Sequence, residues 1–337
     1  MDERFDDTVV PASNGEPEDA APSVAESASD VTENAPGSPA GEASCTPVEE
    51  TVEVIEENGE EEPGPVKEAK EPSLADYLEM TIQSCVLPLE MRFSQINGAY
   101  QKLAKAYRSH TFINSVIEGV IPPEKYSFAA DQTDRGVRLT KWNIKGAIDA
   151  IRAFQKAGRK VDFVTARVSP RIIDEEDIFA FIKSVFDENG FTEPERICLE
   201  FPKTALYEDF DKLRTALLSL KLLRVRSLIS GFGAYDSAVT PLFYLPFDYV
   251  ILDSRITAFA DDNNLANAFG SLISFIRDAG CMVIAEGAKN DSELSVLSRS
   301  DCYGYIPSPS YEGEAEHGSL RMTIDEAVLQ EGGEVED

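Results

Sequence analysis

The chain has 337 residues, 61 Asp and Glu against 31 Lys and Arg, and a formal net charge of −30. Residues 1–72 hold 21 acidic and 3 basic residues, and residues 312–337 hold 9 and 1, so the body between them is close to neutral. Flanks this acidic repel phosphate backbones and anionic lipid, which excludes nucleic-acid or membrane-surface binding through them, and no apolar run reaches transmembrane length.

In chain order, Met1-Asp2-Glu3-Arg4 lacks the pattern of a secretory signal. Residues 1–72, rich in Glu, Ala, Pro, Ser and Gly, cannot bury enough apolar area to offset their chain entropy; they are expected to form a disordered acidic tail. Residues 312–337 are expected to form a second one. Order is expected from Ser73, which with Asp76 resembles a helix start, and the folded body is expected over 73–311. A strand is expected over Cys85–Phe93. Between 93 and 116 the spacing of Phe93, Ile96, Tyr100, Leu103 and Tyr107 fits a helix, yet Gly98 interrupts it.

Further along, β-branched runs alternate with amphipathic stretches. Strands are expected over 161–167, 196–201, 225–229, 249–253 and 282–286, with a short one at 302–305. Helices are expected over 139–157, 173–188, 207–220 and 262–279, and Trp142 near the start of the first reads as packing. This alternation favours an α/β fold, a (β/α)₈ TIM-like barrel whose buried strands read as apolar runs. The rival is a doubly wound sheet, but neither GxGxxG nor GxxxxGK[ST] occurs. Five cysteines, Cys45, Cys85, Cys198, Cys281 and Cys302, show no CxxC spacing, and three of them sit in apolar runs and fit buried thiols in a reducing cytoplasm. His110 and His317 have no partner at ligand spacing and are expected to be solvated.

A barrel carries its chemistry at the carboxyl ends of its strands. Those ends are Arg167, Glu200 with Lys203, Ser230 with Gly231, Asp253, and Glu286 with Lys289. Three acids are too few for a two-metal centre, which needs clustered carboxylates.

The same segments carry a resemblance. Pro122-Pro-Glu-Lys-Tyr-Ser-Phe-Ala129, Thr165-Ala-Arg-Val-Ser169, Leu199-Glu-Phe-Pro-Lys-Thr204, Ser230-Gly-Phe-Gly233, Leu245-Pro-Phe-Asp248 with Ile251-Leu-Asp253, Ala285-Glu-Gly-Ala-Lys289 and Gly304-Tyr305 follow in register. Together they resemble the motifs of EAL domains, the bacterial cyclic di-GMP phosphodiesterases, over about 115–310. The resemblance implies a (β/α)₈ barrel with an irregular first strand. In that family, metal-dependent hydrolysis uses the Glu of E-A-L, the Asn of V-N-x-S, the first Glu of E-L-T-E, the aspartates of D-D-F-G, a Lys, and the glutamates of A-E-G-V-E.

Carried over, the family positions read Arg167 for Asn, Lys203 for the second Glu of E-L-T-E, and Ser230 and Gly231 for the two aspartates. They continue with Ile251 for Lys, Lys289 for the last Glu, and Tyr303 for the Gln before Gly-Tyr. The E-A-L motif is expected within 98–105, with Gln101 as its first residue and Lys105 at a substrate-binding Arg. Its register is open there, but no acid lies between Glu90 and Glu118. Glu200, Asp253 and Glu286 are retained. At about 4 Å, like unit charges repel by roughly 4 kcal/mol at an effective dielectric of 20, so Arg167, Lys203 and Lys289 oppose a dication.

The expected function is therefore a catalytically inactive EAL-like domain, a regulatory or protein-interaction module of bacterial signalling, without metal or cofactor. The alternatives are a degenerate receptor that binds cyclic di-GMP without cleaving it, and an active phosphodiesterase. Glu200 and Glu286 are expected either to neutralise the intruding cations or to leave Lys105, Arg167, Lys203 and Lys289 as an anion clamp. A protein partner is expected, and a homodimer contact through 231–245.

Overall fold

The computed structural model describes residues 89–100, 103–115, 118–233, 238–262, 264–312 and 321–329. The expected N-terminal tail, the helix from Ser73, Cys45, Cys85, Gln101 and His317 lie outside them. In the described residues of 93–116 the two-residue period of a strand wins over helical spacing. β1 (Leu89–Gly98) pairs antiparallel with β2 (Ala104–Ser115), from Leu89↔Ile113 down to Asn97↔Ala104. Alternation then separates the faces of β2. Tyr107 turns outward, where its ring stacks on Phe154 at 4.4 Å, while Ala106 and Arg108 turn into the barrel.

Short β3 (Gly119–Ile121) hairpins onto β2, and two helices follow, α1 (Pro123–Asp131) and α2 (Arg135–Lys156). α2 buries Leu139, Ile144, Ala147, Ile148, Ile151 and Phe154, a spacing of three and four residues that makes one apolar face. Each large side chain on it contributes about 1.5–3 kcal/mol of burial. The parallel strands are β4 (Val164–Arg167), β5 (Ile197–Pro202), β6 (Arg226–Phe232), β7 (Tyr249–Leu252), β8 (Met282–Asn290) and β9 (Gly304–Glu312). Between them lie α3 (Ile178–Glu188), α4 (Phe210–Leu222), α5 (Ser254–Thr257), α6 (Ala266–Asp278) and α7 (Asp291–Arg299). Asp177, Asp209, Asp253 and Asn290 cap α3, α4, α5 and α7 by accepting backbone N–H bonds. The β6–β7 connection holds only a 3₁₀ turn, Thr240–Phe243, among its described residues.

β1 pairs with β9 at Asn97↔Tyr305 and Gly98↔Gly304, so the order β1–β2–β4–β5–β6–β7–β8–β9 closes on itself. This is the expected (β/α)₈ barrel, with a first strand antiparallel to both neighbours. The β2–β4 seam has a single ladder pair, Tyr107↔Val164. Side chains reinforce it: the Ser109 amide donates to Thr165 Oγ1 at 3.0 Å, and Ser109 Oγ donates to the Thr165 carbonyl at 2.6 Å.

The lumen is apolar below and ionisable above. Ile96, Ala106, Phe163, Cys198, Leu228, Tyr249, Ile251, Ile284 and Ile306, drawn from every barrel strand or its first approach, form one core cluster without a helical member. Among the described residues, no helix is long and apolar enough to cross a membrane.

The boundary expected at 311 is corrected. Residues 321–329, assigned from sequence to a disordered tail, belong to the folded body. Met322 exchanges two backbone bonds with Phe93, at 2.7 and 2.9 Å, and is 2% exposed. α8 (Ile324–Leu329) begins with Thr323 and Glu326 bonding each other's backbone amides. Its carbonyls on Ala327 and Val328 accept from Arg159, three residues past the end of α2. Acidic composition concealed a short apolar stripe, Met322, Ile324, Ala327 and Val328, that packs on the core.

Met322→Ala is expected to destabilise the protein by about 2–4 kcal/mol, through lost burial and the cavity left behind. Urea unfolding checks this, and a chain ending at 311 should unfold at lower urea than one ending at 329.

Candidate functional site

At the carboxyl ends of the strands, one cavity of about 230 Å³ opens between β2, β4, β5, β6, β8, α1, α2 and Arg321. Its floor is an ion-pair cluster. Arg108 projects inward from β2 and donates from Nε to both Glu200 oxygens, at 3.0 and 3.1 Å. Arg108 Nη2 reaches Glu200 Oε1 at 2.6 Å, and Nη1 reaches Glu286 Oε1 at 2.9 Å. Thr165 Oγ1 adds a bond to Glu200 at 3.2 Å. Glu200 is only 3% exposed, whereas Glu286 is half-buried.

Burial alone would raise the Glu200 pKa; the charge and hydrogen bonds of Arg108 outweigh it and hold the carboxylate below its ordinary value. Desolvation pulls Arg108 the other way, and its two glutamates more than restore it, so the guanidinium stays charged. Beside it, His110 Nε2 lies 2.9 Å from Ser94 Oγ. Burial, then the charges of Arg108 and Arg321, push His110 well below the ordinary histidine pKa. The solvated histidine expected from sequence is a neutral imidazole lining the cavity.

The expected residues divide into those in the cavity and those outside it. Arg167 lines it, bound not to Glu200 or Glu286 but to Asp131 on α1, at 2.5 and 3.2 Å. Ser230 lines it as well, its Oγ 3.4 Å from the Phe201 carbonyl. Ile251 is fully buried in the apolar lumen. Asp253 is turned to Arg255, whose hydrogen bonds lower its pKa, with smaller help from the charge of Lys203. Gly231 has a φ of +73°, in the left-handed region that glycine tolerates. Lys289 is exposed, and its amide donates to Glu293.

Lys105 and Tyr303 are at the other end of the barrel. Lys105 Nζ lies 5.0 Å above the Tyr303 ring, and the Tyr303 hydroxyl donates to Asp162, which precedes β4, at 2.6 Å. The described residues of the window, 98–100 and 103–105, thus lie at the amino end of β2, remote from Glu200, and Lys105 forms no part of a clamp with Arg167. Sequence reasoning missed Arg108, His110, Glu124, Asp131 and Arg321. The signal for the first two was the alternation Ala106, Arg108, His110, which a two-residue period would have aligned. Among the described residues, no group of three His, Cys, Asp or Glu side chains converges.

A closed eight-stranded barrel with an antiparallel first strand and an ionisable cluster at its carboxyl rim defines the scaffold class. The family model described as EAL domain matches residues 113–305, more than half of the chain, and the chain belongs to that family. It is 25% identical over 185 residues to an uncharacterized signaling protein of Caulobacter vibrioides, covering 55% of this chain and 22% of that protein. An uncharacterized protein of Mycobacterium tuberculosis is 24% identical over 203 residues, covering 58% of this chain and 32% of the relative. The chain therefore spans about a fifth to a third of these relatives. Among solved structures, the EAL enzyme Bd1971 with cAMP and cyclic-di-GMP bound has a TM-score of 0.65 at 15% identity, over 76% of this chain and 67% of that one. The FimX EAL domain of Pseudomonas aeruginosa bound to c-di-GMP has a TM-score of 0.57 at 13% identity, over 68% and 92%.

Replacing Arg108 by Met is expected to cost about 3–5 kcal/mol, because Glu200 is left buried without its counter-charge. The double variant Arg108→Met with Glu200→Gln should recover part of that loss in urea unfolding. His110 gives a second expectation. Its folded pKa lies below the unfolded value of 6.5, so the unfolded chain takes up the proton first. Stability is therefore lost as pH falls below about 6.5, by at most about 1.4 kcal/mol per pH unit from this group. His110→Gln should flatten the melting temperature between pH 7 and 5.

Proposed function

We propose that this chain is an EAL domain that does not hydrolyse cyclic di-GMP and acts as a regulatory, protein-binding module in bacterial signalling. The observation that carries the reading is the Arg108 guanidinium, bonded at once to Glu200 and Glu286. Arg108 projects from β2 toward the two retained glutamates, so it stands for the first acid of E-A-L, in place of the Gln101 expected from sequence. Two divalent ions about 3.5–4 Å apart need several free carboxylate oxygens and near-octahedral shells. Both Glu200 oxygens are taken by a cation, and Arg167, Lys203, Ser230, Gly231 and Ile251 supply no carboxylate. The residues present do not fit such a pair.

The same reading includes a contact between copies, or with a partner, through 231–245. Val239, Phe243 and Tyr244 lie exposed on the β6–β7 connection, with Phe243 at 57% and Tyr244 at 63%. Phe243 and Tyr244 lean on Phe275 of α6 and Phe210 of α4, so the apolar surface is continuous across that sector. A cytoplasmic setting belongs to the proposal too, supported by the free, buried thiols of Cys198, Cys281 and Cys302.

Purified protein incubated with cyclic di-GMP and Mg²⁺ or Mn²⁺ is expected to yield no linear dinucleotide by chromatography. Product formation would overturn the proposal. Light scattering on the same sample tests the surface, where Phe243→Ser with Tyr244→Ser should lower the mass of any assembly.

A further inference from the structure

Three arginines line the cavity, and each meets a carboxylate of the chain itself: Arg108 meets Glu200 and Glu286, Arg167 meets Asp131, and Arg321 meets Glu124. The three pairs are not equivalent. Removing Glu200 from Arg108 would strand a buried charge, which is costly. The Arg167 and Asp131 side chains are 22% and 9% exposed, and the pair is bidentate. The Arg321 and Glu124 side chains are 32% and 58% exposed, so water rehydrates both ends when they part. Of these three, Arg321 is the guanidinium that an incoming anion can take most cheaply.

It is also well presented. Arg321 Nη1 and Nη2 both donate to the Glu124 carboxylate, one on each oxygen, the fork geometry that matches carboxylate and phosphate alike. The group lies 5.4 Å from the centre of the Phe112 ring, which also carries Arg92 at 4.7 Å. Its neighbour Met322 is fixed to Phe93 by two backbone bonds. A guanidinium held in position loses little freedom when it binds.

We propose that Arg321 is the recognition group for a small carboxylate- or phosphate-bearing molecule, and that Glu124 occupies it as an internal competitor until such a ligand exchanges with it. This rests on the reading of the cavity as a binding rather than a cleaving site. The volume, about 230 Å³, admits one small oxyanion with a short substituent. Glu124 is suited to be the competitor. Burial alone would raise its pKa, but the bond from Arg321 and its own backbone bond bring it below the ordinary value, so it stays an anion.

Competition has a signature that a merely structural pair lacks: deleting the competitor tightens the ligand. Inorganic phosphate, acetate and cyclic di-GMP are titrated by calorimetry at fixed ionic strength into the full chain, wild type and variants. Phosphate or acetate is expected to bind Glu124→Gln at least fivefold more tightly than wild type, and cyclic di-GMP, too large for the cavity, is not. Arg321→Gln should lose at least tenfold. Glu188→Gln, which removes an equal charge from the Lys141 pair on the outer face of α2, should change nothing. The ligand that gains more tells a phosphate from a carboxylate. Equal affinities of wild type and Glu124→Gln for both small anions, undiminished binding by Arg321→Gln, a gain confined to cyclic di-GMP, or no binding of either small anion to Glu124→Gln would overturn the proposal. If Arg321→Gln fails to fold by circular dichroism, the Glu124→Gln and Glu188→Gln comparison decides alone. Chromatography of the cyclic di-GMP samples separates the two readings, because a linear product removes the non-hydrolytic one whatever the affinities show.

Discussion

A charge buried at the rim of a barrel must find its opposite or be driven out, and that constraint organises this molecule. Glu200 is nearly inaccessible to water, on a strand flanked on both sides by others. In an apolar lumen it would have to take up a proton or remain a strained anion. Arg108 answers it from β2, one strand beyond β4, and spends its remaining nitrogen on Glu286. Three strands that share no ladder pair, β2, β5 and β8, are thereby joined through one planar group. The arrangement is rigid because a guanidinium has few ways to satisfy two carboxylates at once.

The other charges at the rim are paired separately. Arg167 bonds to Asp131 on α1, and Asp253 bonds to Arg255 and caps α5. Ile251 drops into the apolar layer beneath, where a lysine would be an unpaired buried cation. The cavity thus sets three guanidiniums, Arg108, Arg167 and Arg321, against four carboxylates, Glu200, Glu286, Asp131 and Glu124, in a chain whose total charge is −30.

Much of the fold was legible in the sequence. From residue 161 onward, β-branched runs such as 249–253 and amphipathic stretches such as 207–220 fell close to the strands and helices observed, because buried parallel strands and one-faced helices leave strong periodic signals. The rim positions Arg167, Glu200, Ser230 and Glu286 could be read as well, since a strand end is set by the strand itself. What could not be read was held by contacts distant in sequence. Helical spacing in 93–116 arose by chance from residues on opposite faces of a hairpin, and it hid Arg108. The pairing of Arg321 with Glu124, 197 residues away, leaves no local trace. Acidic composition around 321–329 outweighed a four-residue apolar stripe that matters only once β1 is present to receive it.

The exchange of backbone bonds between Phe93 and Met322 has a consequence for the order of assembly. β1 is among the first described elements in the chain, yet it pairs with β9 at only two positions and is braced by a segment more than two hundred residues later. During synthesis the strand and its hairpin partner must wait, with an open edge, while every intervening β/α unit emerges. Closure is therefore a late event built from long-range contacts, which makes it slow relative to the local helices. At Phe93 the outer edge of β1 is covered only when Met322 arrives to exchange backbone bonds with it.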